Sequence, residues 1–158
     1  MTHVHTRSVD GESRPFHFDS TWRPDADIDR VWDILADIDS WPDWWPGVLS
    51  TWVLDRGTLE AEGRRAQVVV ASPMGYTLRF TVTITEAVKP RAATITVSGD
   101  LRGTGRWWAV TDGERVDLSF MWCVVTRRRP VRLLRPAASW AHKRVMEAGL
   151  RGLNRQVT

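Results

Sequence analysis

From Tyr76 to Ala87 apolar and polar side chains alternate clearly. Tyr76, Leu78, Phe80, Val82 and Ile84 fall on one side, and Thr77, Arg79, Thr81, Thr83 and Thr85 on the other. A period of two belongs to a half-buried antiparallel strand with one wet face. Comparable runs predict strands over Pro15 to Trp22, Val48 to Leu54, Gln67 to Ala71, Arg91 to Ser98 (Ala93, Ile95 and Val97 inward), Leu101 to Val110, and Val116 to Val124. In the last of these Val116, Leu118, Phe120, Trp122 and Val124 share the apolar face. Turns are marked by Gly57 and Gly63, by Ser72-Pro73-Met74-Gly75, by Lys89-Pro90 and by Asp112-Gly113, a hairpin signal.

Two stretches follow the helical period instead. Ile28, Val31, Leu35 and Ile38 form an apolar stripe opposed by Asp29, Asp33 and Asp37. Asp27 is placed to cap that helix, and Asp29 suits its positive end. Ser40 is placed to cap a second short helix across Trp41 to Trp45, stopped by Pro46-Gly47. Near the C-terminus Leu134, Ala138, Ala141, Val145, Met146, Gly149 and Leu153 gather on one arc, with Arg144, Glu147, Arg151 and Arg155 opposite. Pro136 suits the first turn of this helix, which runs to about Val157. The order is therefore one strand, two short helices, six strands and a long helix. Sequential strands joined by turns imply an antiparallel sheet, and the long helix must cover its apolar face.

A chain of 158 residues, 42% hydrophobic and 26% charged, suits one globular domain. Residues 1–14 are polar and aperiodic and read as a flexible tail before a single domain over 15–158. No apolar run reaches the roughly 18 residues of a membrane span. No signal-peptide core opens the sequence, so a cytoplasmic protein is expected. The net charge of +3 conceals an asymmetry. Residues 16–43 hold eight Asp against two Arg, whereas residues 127–155 hold nine Lys or Arg against one Glu. Either these are two solvated faces or the basic one docks an acidic partner. Aromatics do not interleave with the basic run, so DNA is not expected as a partner.

Three segments carry a resemblance: VWDILADIDSWPDWWPGV, the GTGRWW strand with its following Asp-Gly turn, and WAHKRVMEAGLRGL on the last helix. Over residues 16–157 the chain resembles the helix-grip (START-like, SRPBCC) superfamily. That group includes birch-pollen-allergen-like proteins, steroidogenic-acute-regulatory-related lipid transfer domains and polyketide cyclase/dehydrase proteins. The last segment is similar to a bacterial polyketide cyclase-like subgroup. The resemblance implies an α+β fold: a curved antiparallel sheet of about seven strands wrapped around the long C-terminal helix, with an apolar cavity between them. It fixes fold much better than ligand.

Within that frame His142 falls on the apolar arc of the last helix. It is either a core histidine held by one hydrogen bond or a ligand contact and general base, kept neutral by burial. Tyr76, the only tyrosine, is either a wet strand-end residue or a donor to a ligand carbonyl or enolate. Gly149 and Gly152 weaken a helix by about 1 kcal/mol each relative to Ala, so they mark close approach to the sheet or space for a ligand. Ten Trp are present. Trp32 and Trp122 suit the core, while Trp44, Trp45, Trp52 and Trp107 are core or cavity lining. The ligand-contact set is Trp45, Trp52, Met74, Phe80, Trp107, Phe120, Trp122, Met146 and Gly149. Cys123 reads as a small buried hydrophobe. His3 and His5 are weak metal candidates, and no metal or other cofactor is expected. Phosphate-loop, HExxH and GxSxG patterns are missing from the sequence, which leaves kinase, zinc-protease and serine-hydrolase chemistry unsupported.

Three functions remain open. The first is a binding module for a small hydrophobic or aromatic molecule of lipid, polyketide or isoprenoid type. The second is a polyketide cyclase or aromatase with His142 as base, Tyr76 supporting the enolate, and an acidic carrier protein docked on the basic region. The third is an interaction protein using its basic C-terminal helix. Oligomeric state is not legible.

Overall fold

The period-two segments form one seven-stranded antiparallel sheet in the computed structural model, which describes residues 6–157. The strands are β1 (Phe16–Trp22), β2 (Val48–Asp55), β3 (Arg65–Ala71), β4 (Thr77–Val88), β5 (Ala92–Gly99), β6 (Leu101–Asp112) and β7 (Arg115–Thr126). Their order across the sheet is β1-β7-β6-β5-β4-β3-β2, so the first two strands are its edges. Register puts the apolar sides in line. Val68 and Ala66 face Phe80 and Val82, Val82 and Ile84 face Val97 and Ile95, and Trp107 faces Phe120. Gly105 lies between Ile95 and Trp122, and a Cβ there would meet both side chains at 3.1–3.4 Å. Irregular pairing in β2 and in β4 bends the sheet at these points.

Helix α1 (Ile28–Ala36) begins where Asp27 accepts a hydrogen bond from the Arg30 N–H at 2.9 Å. Its Val31, Trp32, Ile34 and Leu35 are buried. A single 3-10 turn, Ile38–Ser40, leads to α2 (Trp41–Trp44). Ser40 does not cap α2. Its hydroxyl instead donates to the Asp37 carbonyl and accepts from Trp44 Nε1, because the preceding turn has already curled the backbone into a helical conformation.

The last strand ends at Thr126, but one long helix does not follow directly. A short helix α3 (Arg129–Leu133), with Pro130 in its first turn, and a 3-10 turn (Arg135–Ala137) precede α4 (Ala138–Val157). At about 1.5 Å per residue the 20 residues of α4 cross the sheet in roughly 30 Å. The architecture is the α+β helix grip. No helix among the described residues is long and apolar enough to cross a membrane.

The basic run has an internal use. Arg127, Arg132 and Arg135 donate to backbone carbonyls of Asp10, Gly11, Arg14 and Pro15. Arg102 makes a two-pronged contact with Glu12 at 2.8 Å, and Thr6 donates to the Cys123 carbonyl. The Glu12 carboxylate is accordingly held down to about 2 by the Arg102 guanidinium.

Candidate functional site

α4 meets the rest of the molecule in two different ways along its length. In its C-terminal half a Cβ on Gly149 would stand 2.5 Å from Trp45, and one on Gly152 would collide with the Trp44 carbonyl. Both glycines therefore serve close approach: Gly149 to Trp45 beside α2 and to Trp22 of β1, where its Cβ would stand 2.8 Å away, and Gly152 to α2. Leu153 closes this end, fully buried.

In its N-terminal half α4 stands off the sheet and leaves a cavity of about 220 Å³. Ala138, Ala141, His142, Val145 and Met146 form its roof, and Phe80, Phe120, Trp122 and Trp107 contribute to its floor. α1 and α2 close one end with Leu35, Ile38, Trp41 and Trp45. The Trp45 N–H donates to the Val145 carbonyl at 2.9 Å, which satisfies the indole and pins α2 to α4 where packed and hollow halves meet. At the other end lie Ser72, Pro73 and Tyr76 of the β3–β4 turn with Val131 of α3. Pro73 is the exposed residue of the wall, which puts the mouth at this turn.

His142 is roofed against Phe18, whose ring stacks on the imidazole at 4.4 Å and 8°. Burial pushes its pKa down to about 4, against a weaker upward pull from Asp19, so the imidazole is neutral at pH 7. Its Nε2 is buried with no hydrogen-bond partner among the described residues. Neither sequence-based reading named this arrangement, because Phe18 comes from β1, more than a hundred residues away in the chain. Arg106 also meets the cavity, but its guanidinium lies 5.7 Å from the Trp108 ring, on the face of β6 opposite Trp107.

Of the residues singled out from the sequence, the structure brings together His142, Tyr76, Trp45, Phe80, Trp107, Phe120, Trp122 and Met146 around one cavity. Three are elsewhere. Trp52 pairs with Gln67 on the outer side of β2, 70% exposed, while its neighbour Thr51 pairs with the inward Val68. Met74 occupies the turn whose Pro73 and Tyr76 reach the cavity instead, its N–H donating to Ser72 Oγ. Gly149 is packed under Trp45. Trp44 is core, stacked on Trp45, and Trp32 packs against Trp107. The sequence reading missed Phe16, Phe18, Trp41 and Val131 as wall residues. A period of two puts Phe16 and Phe18 on one face of the first strand, but nothing local shows what that face meets. His3 and His5 lie outside the described residues.

Comparison with known proteins agrees with this geometry. Residues 15–158 match the family described as polyketide cyclase / dehydrase and lipid transport. Among solved structures, the Zhui aromatase/cyclase from Streptomyces sp. R1128 superposes with a TM-score of 0.72 at 22% identity, covering 90% of this chain and 93% of that one. A protein from Thermus thermophilus gives 0.74 at 20% identity, with 89% and 96% covered. A START superfamily protein from Mycobacterium smegmatis gives 0.73 at 16% identity, with 90% and 99% covered. At these identities the likeness shows the fold. No curated protein matches the sequence.

Proposed function

The chain belongs to the polyketide cyclase / dehydrase and lipid transport family, and from that premise we propose that it binds a small hydrophobic or aromatic molecule between the sheet and the first half of α4. The observation that carries this reading is the cavity itself, walled almost wholly by aliphatic and aromatic side chains. Such a lining favours an apolar guest through desolvation, at about 25 cal/mol per Å² of apolar surface removed from water. Lipid, polyketide and isoprenoid fragments all satisfy that chemistry. Native mass spectrometry of the purified protein tests the proposal, together with saturable quenching of tryptophan fluorescence by added ligand. A bound adduct and saturation support it. An empty protein that no apolar probe quenches overturns it.

A second reading is favoured by one observation: His142 is neutral at pH 7 and reaches the cavity. In a cyclase or aromatase the cavity would fold a poly-β-keto chain, His142 would take a proton from the carbon between two carbonyls, and Tyr76 would donate to the enolate oxygen. An acidic carrier protein in the cytoplasm would deliver the chain to the mouth. Product profiles with a carrier-bound polyketide test this, and equal rates for wild type and His142→Ala would remove His142 from the chemistry.

A further inference from the structure

We infer that residues 6–15 form a strap that holds α3 at the mouth of the cavity, and that unfastening the strap lets α3 move aside for a ligand to enter or leave. The inference rests on the binding function proposed above and adds a gate to it.

The strap is fastened to the face of the sheet turned away from the cavity. It doubles back at Asp10 and Gly11, where the Glu12 N–H donates to the Val9 carbonyl at 3.0 Å. The Ser13 N–H donates to the Thr126 carbonyl of β7 at 2.8 Å, and the Thr126 N–H donates to Ser13 Oγ at 3.1 Å. Both residues are buried. Glu12 is gripped by Arg102 of β6, whose guanidinium also donates to the Arg7 carbonyl at 2.7 Å. Thr6 lies against Cys123, with its N–H donating to the thiol sulfur at 3.3 Å. Cys123 and Val125 alternate along β7 with the cavity residues Trp122 and Val124, so they belong to the outer face. Both are nevertheless fully buried, as a strap across that face requires.

α3 is poorly anchored without the strap. Val131 is the only buried residue of α3, and the 3-10 turn that follows has none. A segment with so few buried apolar contacts opens at low cost unless something else holds it. Guanidinium groups supply the hold. Arg132 donates to the Gly11 carbonyl at 3.2 Å, and Arg135 donates to the Arg14 and Pro15 carbonyls at 2.9 and 2.6 Å. Val131 is the residue that α3 sets beside Ser72, Pro73 and Tyr76 at the mouth. The strap is thus tied on one side to β6 and β7, which the sheet keeps in register, and on the other to the wall element that could swing. Cutting either set of ties frees α3.

Three full-length variants test this. Glu12→Lys combined with Ser13→Pro removes the ties to Arg102 and Thr126. Arg132→Ala cuts a tie between strap and helix. Arg129→Ala removes a charge from the same helix at an exposed position outside these contacts. Stopped-flow fluorescence with N-phenyl-1-naphthylamine, a neutral apolar probe, reads the gate. Association and dissociation rates should both rise, about tenfold in the double variant and about threefold in Arg132→Ala, with Kd held within about twofold. Arg129→Ala should match wild type. Hydrogen exchange supplies a reading without ligand: the Arg132 and Leu134 amides, bonded to the Arg128 and Pro130 carbonyls, should exchange faster in the first two variants while β4 and β5 stay protected. Alkylation of Cys123 by iodoacetamide should quicken in the double variant as the strap lifts. A thiol still protected there, α3 amides that exchange as in wild type, probe rates that do not move, or an affinity that falls without faster association each overturns the inference and leaves the binding function standing. Failure of the probe to bind wild type overturns the binding function and the gate with it.

Discussion

The two halves of α4 carry similar apolar arcs yet make opposite interfaces. The C-terminal half uses Gly149 and Gly152 to bring the helix backbone against Trp45 and the Trp44 carbonyl. The N-terminal half presents Ala138, Ala141, His142 and Val145 to a hollow. Small residues thus do two different things on one helix: beneath α2 they admit a neighbour, and above the sheet they leave room. The difference lies in the partner. A helical pair rich in indoles fills the space at one end, and the curved sheet falls away at the other.

Substitutions separate these roles. The largest effect is expected at Gly152, where any Cβ meets a backbone carbonyl that cannot rotate away. Gly152→Ala should lose about 3 kcal/mol in urea unfolding, despite its better helix propensity. Acid should cost the hollow half a similar amount. His142 titrates near 6.5 when unfolded and at about 4 when folded. Its contribution is therefore complete above pH 6.5, declines as pH falls, and reaches a loss of about 3 kcal/mol below pH 4. Carboxylates titrate across the same window, so the measurement is the difference between wild type and His142→Phe. That variant should be nearly as stable at pH 7 and should lose less stability from pH 6.5 to 4.

Gly149→Ala comes next, with about 2 kcal/mol lost, because an indole edge yields more readily than a carbonyl. The smallest effect on stability belongs to Ala141→Leu, which adds carbon to the hollow. Its unfolding midpoint should stay within about 1 kcal/mol of wild type, while quenching by an apolar probe disappears. Comparable destabilisation by Ala141→Leu and Gly152→Ala would erase the distinction between the halves.

The packed and hollow halves were unequally legible in the sequence. The alternation in β4 and β7 identified Phe80, Phe120 and Trp122 as inward, since a period of two leaves each strand only two choices. Trp52 escaped because β2 pairs irregularly on both sides of it, and a bulge breaks the phase that alternation relies on. Gly149 and Gly152 announced close approach to the sheet, which Trp22 of β1 supplies for Gly149, but not the approach to Trp44 and Trp45, since α2 is a hundred residues away in sequence. The basic run Arg127–Arg135 read as a surface because its partners at Asp10, Gly11, Arg14 and Pro15 are backbone carbonyls, which every residue carries and no sequence pattern marks. The stacking of Phe18 on His142 was hidden for the same kind of reason: it depends on how β1 lies under α4, a tertiary fact.

The central claim is the hollow beneath the first half of α4, and xenon diffraction tests it most directly. Crystals pressurised with xenon should show ordered peaks between Val145 and Met146 above and Phe120 and Trp122 below, with none between Gly152 and Trp44. Side chains of the roof and floor meshed in direct contact, with no xenon between them, would contradict the account.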